Sequence, residues 1–412
     1  MNRSQITPPL KVLLSDGAGV TGRQTAGLLH RSGHRVGVLT SDPLALTRFT
    51  RSVRWRHRTD GFGDRPIEWL DEALGAFHRG GYDVLLPTQE QVAVLAWAAG
   101  RGRLAGVATA VPPFESLAAV LDKAAAERTL DRFDVPRPKT LVLGRGDDPG
   151  RWDRYPAFVK RPVATASTGV VRVDTPEQVC EVLRRWDLDT VVVQEAVDGP
   201  LAMVQSVFHQ GRLLAFHVNL RVHEGVRGGA GNKRSVALPA VREVFTSLGA
   251  QLSWNGGLSA DVILSPDGPL VIDVNPRLVE PVNAARSGVD LVTPMVQIAQ
   301  HDAGRGPAPA VQPESTPDVR THQLLLNLLG AAQHQGTRRS VLDEVIACGA
   351  HRGRYHDSVE ELTPPSHDWR TLLPIGVVAT SLVLHPRTWE RWSSDNVASY
   401  AIAPDGWATL TR

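Results

Sequence analysis

The chain has 412 residues, 42% hydrophobic and 21% charged, the composition of a soluble globular protein long enough for two or three domains. Its formal net charge of +2 is too small to argue for nucleic acid or an anionic membrane as a partner. The two cysteines, Cys180 and Cys348, lie too far apart in sequence for a disulfide framework or a cysteine-based zinc motif.

The N-terminal residues lack the apolar stretch of a secretory signal, which points to a cytoplasmic location. Lysine occurs only as Lys11, Lys123, Lys139, Lys160 and Lys233, against forty arginines. Where arginine dominates so strongly, a retained lysine marks a position that wants a compact point charge. Residues 10–113 alternate apolar strand-like runs with helical stretches, the pattern of a parallel α/β unit. Gly17, Gly19 and Gly22 form a G-x-G-x-x-G between strand and helix, and Asp42 follows the second strand as the acid a dinucleotide site needs. The same glycines also serve a tight strand–helix turn that binds nothing. "VPP" at 111–113 marks a boundary, and two helical stretches follow, the second opening on Asp122-Lys123.

"YPAFVKRPVATASTGVVRV", residues 155–173, reads as strand, loop, strand with Lys160 ending the first strand. Its loop, 164–169, is small and polar and ends on Gly169. Backbone N–H groups of such a loop can wrap a polyphosphate, although an ordinary hairpin has the same composition. Residues 189–216 give a buried strand, then "QEAVDGP", then a hairpin turning at "HQG". A strand leaving a core offers backbone N–H and C=O to an adenine edge, and Glu195, Val197 and Asp198 are spaced for this and for ribose hydroxyls. "RVHEGVRGGAGNKRSVALPA", residues 221–240, sets Arg221, Arg227, Lys233 and Arg234 among glycines, as a carboxylate- or phosphate-binding loop or a solvated one.

"GGLSADVILSPDGPLVIDVNPR", residues 256–277, reads as a β-hairpin. A three-residue "PDG" loop with Gly268 in the left-handed position pairs residue 265 with 269 and sets Asp261 opposite Asp273. Leu258, Ala260, Val262, Leu264, Leu270, Ile272 and Val274 then share an apolar face, and Asp261, Asp273 and Asn275 lie on the other. Two carboxylates opposed at about 5 Å repel, and a divalent cation removes the repulsion. Carboxylate and amide oxygens favour Mg²⁺ over zinc or copper. Arg277 is in reach of an anion that the metal also touches. Residues 304–317 are Pro/Ala/Gly-rich and read as a linker. The last hundred residues are mostly helical, with one candidate strand at "VASYAIA". Their longest apolar run, 372–384, is too short to span a bilayer and reads as a buried helix.

In this order the motifs over residues 10–302 resemble those of the ATP-grasp superfamily: Asp122-Lys123, Lys160 with its small loop, Gln194 to Gly199, Asp261, and Asp273-Val274-Asn275-Pro276-Arg277. The resemblance implies an α/β (α+β) chain with a Rossmann-like parallel-sheet domain at 1–113 and a two-lobed ATP-grasp domain at 114–303. The lid would span about 158–190, with a linker at 304–317 and a mainly helical C-terminal domain at 318–412. Lys123 and Lys160 would hold ATP phosphates under Ser167, Thr168 and Gly169. Gln194, Glu195, Ala196, Val197 and Asp198 would hold adenine and ribose. Asp261, Asp273 and Asn275 would ligate two Mg²⁺ ions, with Mn²⁺ as a substitute. Arg277, Lys160 and Asp273 would be catalytic, and Arg221, Lys233, Arg234, Glu280 and Glu90 would face the substrates.

The reaction so implied converts a carboxylate to an acyl phosphate and couples it to an amine, releasing ADP and phosphate. The partners are then a small carboxylate and a small amine, without nucleic acid or membrane, and a homodimer is one open assembly. The chain departs from the pattern at Leu201, where an acid is common, at Gln205, and at "LVEP" after Arg277, where Glu280 is set toward the substrate. Two other readings stay open: a bicarbonate-activating carboxylase of the same superfamily, and an NAD(P)-binding oxidoreductase resting on Gly17, Gly19 and Gly22.

Overall fold

Strand–helix alternation builds a parallel sheet in the computed structural model, which describes residues 9–165, 168–362 and 367–412. The order is β1 (Lys11–Leu14), α1 (Val20–Arg31), β2 (Arg35–Thr40), β3 (Val53–Arg58), α2 (Pro66–Gly80), β4 (Val84–Leu86) and α3 (Val92–Gly100). The strands lie side by side as β3-β2-β1-β4, all parallel. β1 and β4 are apolar throughout their buried length because helices cover both faces of such a sheet. Ligands of open α/β sheets bind beyond the carboxyl ends of the strands, and here that edge carries the glycine loop and Asp42.

α4 (Phe114–Leu121) and α5 (Lys123–Arg132) lead into β5 (Thr140–Gly144), β6 (Ala157–Lys160), β7 (Val170–Val173), α6 (Pro176–Trp186) and β8 (Thr190–Glu195). These strands form an antiparallel sheet ordered β5-β8-β6-β7. Val179 and Val182 of α6 pack on Val159, Val173, Val191 and Val193 to close its core.

A second antiparallel sheet follows from β9 (Leu201–His209), β10 (Arg212–Glu224) and β11 (Ala230–Ser235). After α7 (Pro239–Gln251), it continues in β12 (Gly256–Ser265) and β13 (Gly268–Asn275). β9 and β10 join through Gln210 and Gly211, both with positive φ, as a two-residue hairpin matched to strand twist requires. The β12–β13 hairpin differs from its expected form. Its loop is two residues, Ser265 pairs with Gly268, and Val262 pairs with Val271. An extra residue, Ile272, then bulges out of β13, and the register returns to Asp261 opposite Asp273. The expected opposition holds, but Val271 joins Val274 in the core while Leu270 and Ile272 are only half-buried.

α8 (Val282–Arg286) and α9 (Val292–Asp302) precede the C-terminal part: β14 (Arg320–His322), α10 (Leu324–Gln335), α11 (Arg338–Gly349), β15 (Val359–Glu360), α12 (Leu372–Leu384), α13 (Trp389–Ala398) and α14 (Pro404–Thr411). β14 pairs with β11, and β15 lies beside β14, so the sheet runs β13-β12-β9-β10-β11-β14-β15. The proline-rich segment is tied down, with Gln312 N donating to Leu214 O at 2.7 Å and Thr316 N to Ser287 O at 2.8 Å. α12 is a helix as expected but not a buried one. Pro374, Val378 and Leu382 face inward, while Leu372, Leu373, Val377 and Leu384 are exposed, because only one side packs on α10 and α11. "VASYAIA" forms no strand: it ends α13 and continues as coil, where Ile402 N donates to Glu90 Oε2 and Ala403 N to Gly63 O. Among the described residues no helix is long and apolar enough to cross a membrane.

Candidate active site

Asp261 and Asp273 face each other across β12 and β13, and Asn275 and Arg277 follow on the same strand end. The Asp261 side chain has no hydrogen bond or ion pair among the described residues. Burial and the neighbouring Asp273 push its pKa up to about 7. Asp273 is met by Lys123, Nζ to Oδ1 at 3.3 Å. That lysine is aimed by its helix. Asp122 caps α5 by accepting from Ala125 N, and Lys123 Nζ also donates to Ala164 O at 3.0 Å. Lys160 ends β6 and is buried. Its Nζ donates to Gln194 Oε1 at 2.7 Å and to Ile272 O at 2.8 Å. The bulge therefore has a use: it turns the Ile272 carbonyl out of the ladder and onto the lysine. Burial lowers the Lys160 pKa, and Asp273 opposes that shift.

The loop after β6 folds back over this pair of lysines. Thr168 Oγ1 donates to Thr165 O at 2.7 Å, and Gly169 O accepts from Arg161 N. A Cβ on Gly169 would lie 2.6 Å from Ala164 Cβ, so the close approach demands glycine. Ser167 lies outside the described residues. Thr165 accepts from Arg277 Nη2 at 3.2 Å, which joins the loop to the end of the β12–β13 hairpin. At the end of β8, Glu195 meets Arg154 at 3.4 Å and Ala196 N donates to Pro156 O. Val197 has no backbone hydrogen bond among the described residues, and Asp198 is exposed. The backbone edge without a partner among the described residues is thus at Val197 rather than Ala196.

Asp261, Asp273, Asn275 and Arg277 line one end of a cavity of about 460 Å³. Lys233 and Glu280 line it too, bonded to each other, and Lys233 also meets Glu361 Oε2 at 2.7 Å. Glu280 has φ +53°, a left-handed backbone that costs a non-glycine residue on the order of 1 kcal/mol. Arg221 is the cross-strand partner of Lys233; its guanidinium bonds Gly228 O and Glu224, and its charge reaches Asp261. Three expected substrate residues, Arg221 among them, are not brought to the cavity, whereas Arg227 lines it. Arg234 neighbours Lys233 on β11, so its side chain takes the opposite face and meets Asp318. Glu90 is spent on Ile402 N, and its neighbour Gln89 lines the cavity instead.

The glycine loop contributes Ala18, Gly19, Val20 and Thr21 to the same cavity. Gly17 and Gly22 have a packing reason. A Cβ on Gly17 would lie 2.6 Å from Thr47 Oγ1, and one on Gly22 would strike the Asp16 carbonyl. Sequence reasoning missed Tyr400, which lines the cavity between Arg277, Glu90, Asp16 and Glu280. Burial first, then these acids, push its phenol up to about 12, so it stays a hydrogen-bond donor at neutral pH. The side chains of Gln89, Gln205 and Arg277 each keep one buried polar atom without a partner among the described residues: two Oε1 and one Nε. All three residues line the cavity.

Residues 120–281 match the sequence profile of the ATP-grasp domain. The chain carries an ATP-grasp domain. No curated protein matches the sequence. Solved structures share the fold. N5-carboxyaminoimidazole synthetase from Staphylococcus aureus, complexed with ADP, aligns with a TM-score of 0.59 and 12% identity over 78% of this chain and 85% of its own. L-amino acid ligase from Bacillus licheniformis aligns at 0.54 and 20% identity, over 71% and 75%. The biotin carboxylase domain of Hydrogenobacter thermophilus 2-oxoglutarate carboxylase, in complex with MgADP and bicarbonate, aligns at 0.58 and 14%, over 75% and 73%. At these identities the likeness is one of fold.

The donor set of this ATP-grasp domain fits Mg²⁺. Two opposed carboxylates and an amide oxygen converge at one hairpin, one carboxylate has no positive partner in contact, and no histidine or thiol lines the cavity among the described residues.

Proposed function

We propose that the protein is an ATP- and Mg²⁺-dependent ligase that activates a carboxylate as an acyl phosphate and joins it to an amine. The observation that carries this is the convergence of Lys123, Lys160 and Arg277 on the Asp261–Asp273 pair at one end of a large, partly apolar cavity. Asp261, Asp273 and Asn275 would hold two Mg²⁺, which when bound neutralise charge on the phosphate oxygens. Lys160 and Lys123 bind those oxygens from the other side, and the Val197 peptide takes the adenine edge. A substrate carboxylate oxygen forms a bond to the γ-phosphorus as the bond to the bridging β–γ oxygen breaks, and ADP leaves. Arg277 holds the transferred phosphoryl group in line, and the loop carrying Thr165 and Gly169 keeps water off the acyl phosphate. The amine nitrogen then attacks the acyl carbon, phosphate leaves with its oxygen, and the nitrogen gives up a proton. Glu280, tied to Lys233 through Oε2, keeps Oε1 for that amine.

A bicarbonate-activating carboxylase is the second reading, supported by the biotin carboxylase fold likeness. ADP release from Mg-ATP, measured over pools of carboxylates with and without amines and over bicarbonate alone, separates the two. Release that needs both an acid and an amine supports the ligase. Release with bicarbonate alone replaces it with the carboxylase.

A further inference from the structure

The cavity has two chemically distinct ends. One end is the polar cluster of Asp261, Asp273, Arg277 and Tyr400. The other is walled by Leu46 and Phe49 from the segment after β2, Leu326 of α10, Val377 of α12, and Trp392 and Val397 of α13. Leu46, Phe49, Leu326, Trp392 and Val397 are only half-buried and Val377 is exposed, so the protein's own core does not consume this surface. Leu46, Leu326 and Trp392 nonetheless pack on the buried cluster of Leu328, Leu329, Val378 and Leu382, which holds the wall rigid. Trp392 is oriented by its indole N–H, which donates to Ser381 Oγ at 3.1 Å. No acidic side chain lies on this wall. The acids of the cavity are Asp42 at its rim, with Oδ1 accepting from Leu44 N at 2.7 Å, and the three near the reacting end, Asp261, Asp273 and Glu280. Four of the six wall residues lie in the C-terminal helices, beyond the 120–281 match, so the ATP-grasp domain does not itself dictate the wall.

We propose that the carboxylate substrate is amphipathic: a carboxyl group at the metal hairpin and a bulky apolar body, aromatic or branched aliphatic, against the C-terminal wall. This rests on the ligase reading above. The reacting carboxyl must meet Arg277 and the Asp261–Asp273 pair, and the C-terminal wall that continues from there is apolar apart from Arg227, whose Nε donates to Ser393 Oγ of α13 at 3.0 Å. A body that fills it gains roughly fourfold in kcat/KM per methylene, by transfer from water to an apolar wall. A phenylalanine-sized body should therefore exceed an alanine-sized one by at least about a hundredfold. A short acid leaves the wall wet, and a second carboxylate placed against Leu46, Phe49, Leu326 or Val377 loses its hydration without a partner there.

The test compares 3-phenylpropionate, 4-methylpentanoate, phenylalanine and leucine with acetate, alanine, succinate and glutamate. Two readouts are taken on the full chain. One is ADP release with Mg-ATP and an amine pool, and the other is calorimetric binding of each acid in the presence of Mg-ADP. The same measurements are made on Phe49→Ala and Leu326→Ala, which trim the wall from opposite sides. The expected result is turnover with the apolar acids, a preference of about a hundredfold over the short and diacid probes, and its fall by about tenfold in either variant. Turnover in which acetate, succinate or glutamate equals the apolar acids overturns the substrate class and leaves the ligase reading standing. Saturable binding of the apolar acids, weakened in both variants but without ADP from any acid, keeps the apolar occupant and removes the ligase. Absence of both binding and turnover overturns both.

Discussion

Two residues carry most of the chemistry argued here, and each makes a separate prediction. Asp273 is opposed by Asp261 and paired with Lys123. Asp273→Asn removes a proposed metal ligand, so ADP formation should fall by at least about a thousandfold. It also removes a like-charge pair and a partly exposed ion pair of similar small worth, so metal-free stability should stay within about 1 kcal/mol of wild type. Calorimetric unfolding beside an ADP assay checks both; retained turnover removes Asp273 from the metal site. The Lys160 ammonium is buried with Gln194 Oε1 and Ile272 O as its hydrogen-bond partners among the described residues. Lys160→Met should weaken ATP binding by about ten- to a hundredfold, the worth of a charged hydrogen bond. Unchanged nucleotide affinity in a titration contradicts its role. The sequence disclosed these residues because an acid on a strand, twelve residues from another acid followed by Asn-Pro-Arg, has few structural uses. It also held a signal that went unread: Lys233 and Arg234 are consecutive on one strand, so only one of them can face a cavity.

At the scale of elements, the β12–β13 hairpin shows how a right conclusion can rest on a wrong register. A loop shorter by one residue and a bulge longer by one cancel, so Asp261 still meets Asp273. Alternation of apolar residues cannot report a bulge, because Leu270, Val271 and Ile272 are all apolar and any two of them satisfy the pattern. The glycine loop was legible as strand–turn–helix, but that Gly17 and Gly22 are packing glycines depends on Thr47 and the Asp16 carbonyl, which only the fold brings near. β10 makes a prediction of its own. His217 is fully buried between Asn283 and Ser315, and burial lowers its pKa to about 4. The unfolded chain then binds the proton that the folded chain refuses, so this residue's contribution is intact above pH 6.5 and is lost as pH falls toward 4. Between pH 7 and 5 the loss is roughly 2 kcal/mol. Urea titrations at both pH values should show a smaller loss in His217→Asn; an equal loss in the two proteins would exclude His217 as the titrating group.

At the scale of the whole molecule, a buried polar network ties the parts together. Lys233 of β11 meets Glu280 and Glu361; Gln24 of α1 and Gln323, between β14 and α10, also donate to Glu361, at 2.9 and 2.8 Å. The N-terminal helix α1, the long antiparallel sheet and the C-terminal segments after β14 and β15 thus share one charge cluster. Lys233→Met leaves Glu280 and Glu361 facing each other and should cost about 3–5 kcal/mol. Adding Glu361→Gln should recover part of it, and a single variant as stable as wild type would show that the parts are held elsewhere. The C-terminal contribution to the cavity was not legible in the sequence. Residues 372–384 are apolar on every side, so no periodicity tells the core face from the cavity face, and Tyr400 was lost in an expected strand. The measurement that bears most directly on the central claim is chemical trapping of the activated acid. The protein is incubated with Mg-ATP, an apolar carboxylic acid and hydroxylamine in place of the amine, and the product is assayed for hydroxamate and ADP. The account predicts hydroxamate and ADP in equal amounts, both lost in Asp273→Asn. ADP without hydroxamate, or hydroxamate that persists in the variant, would contradict it.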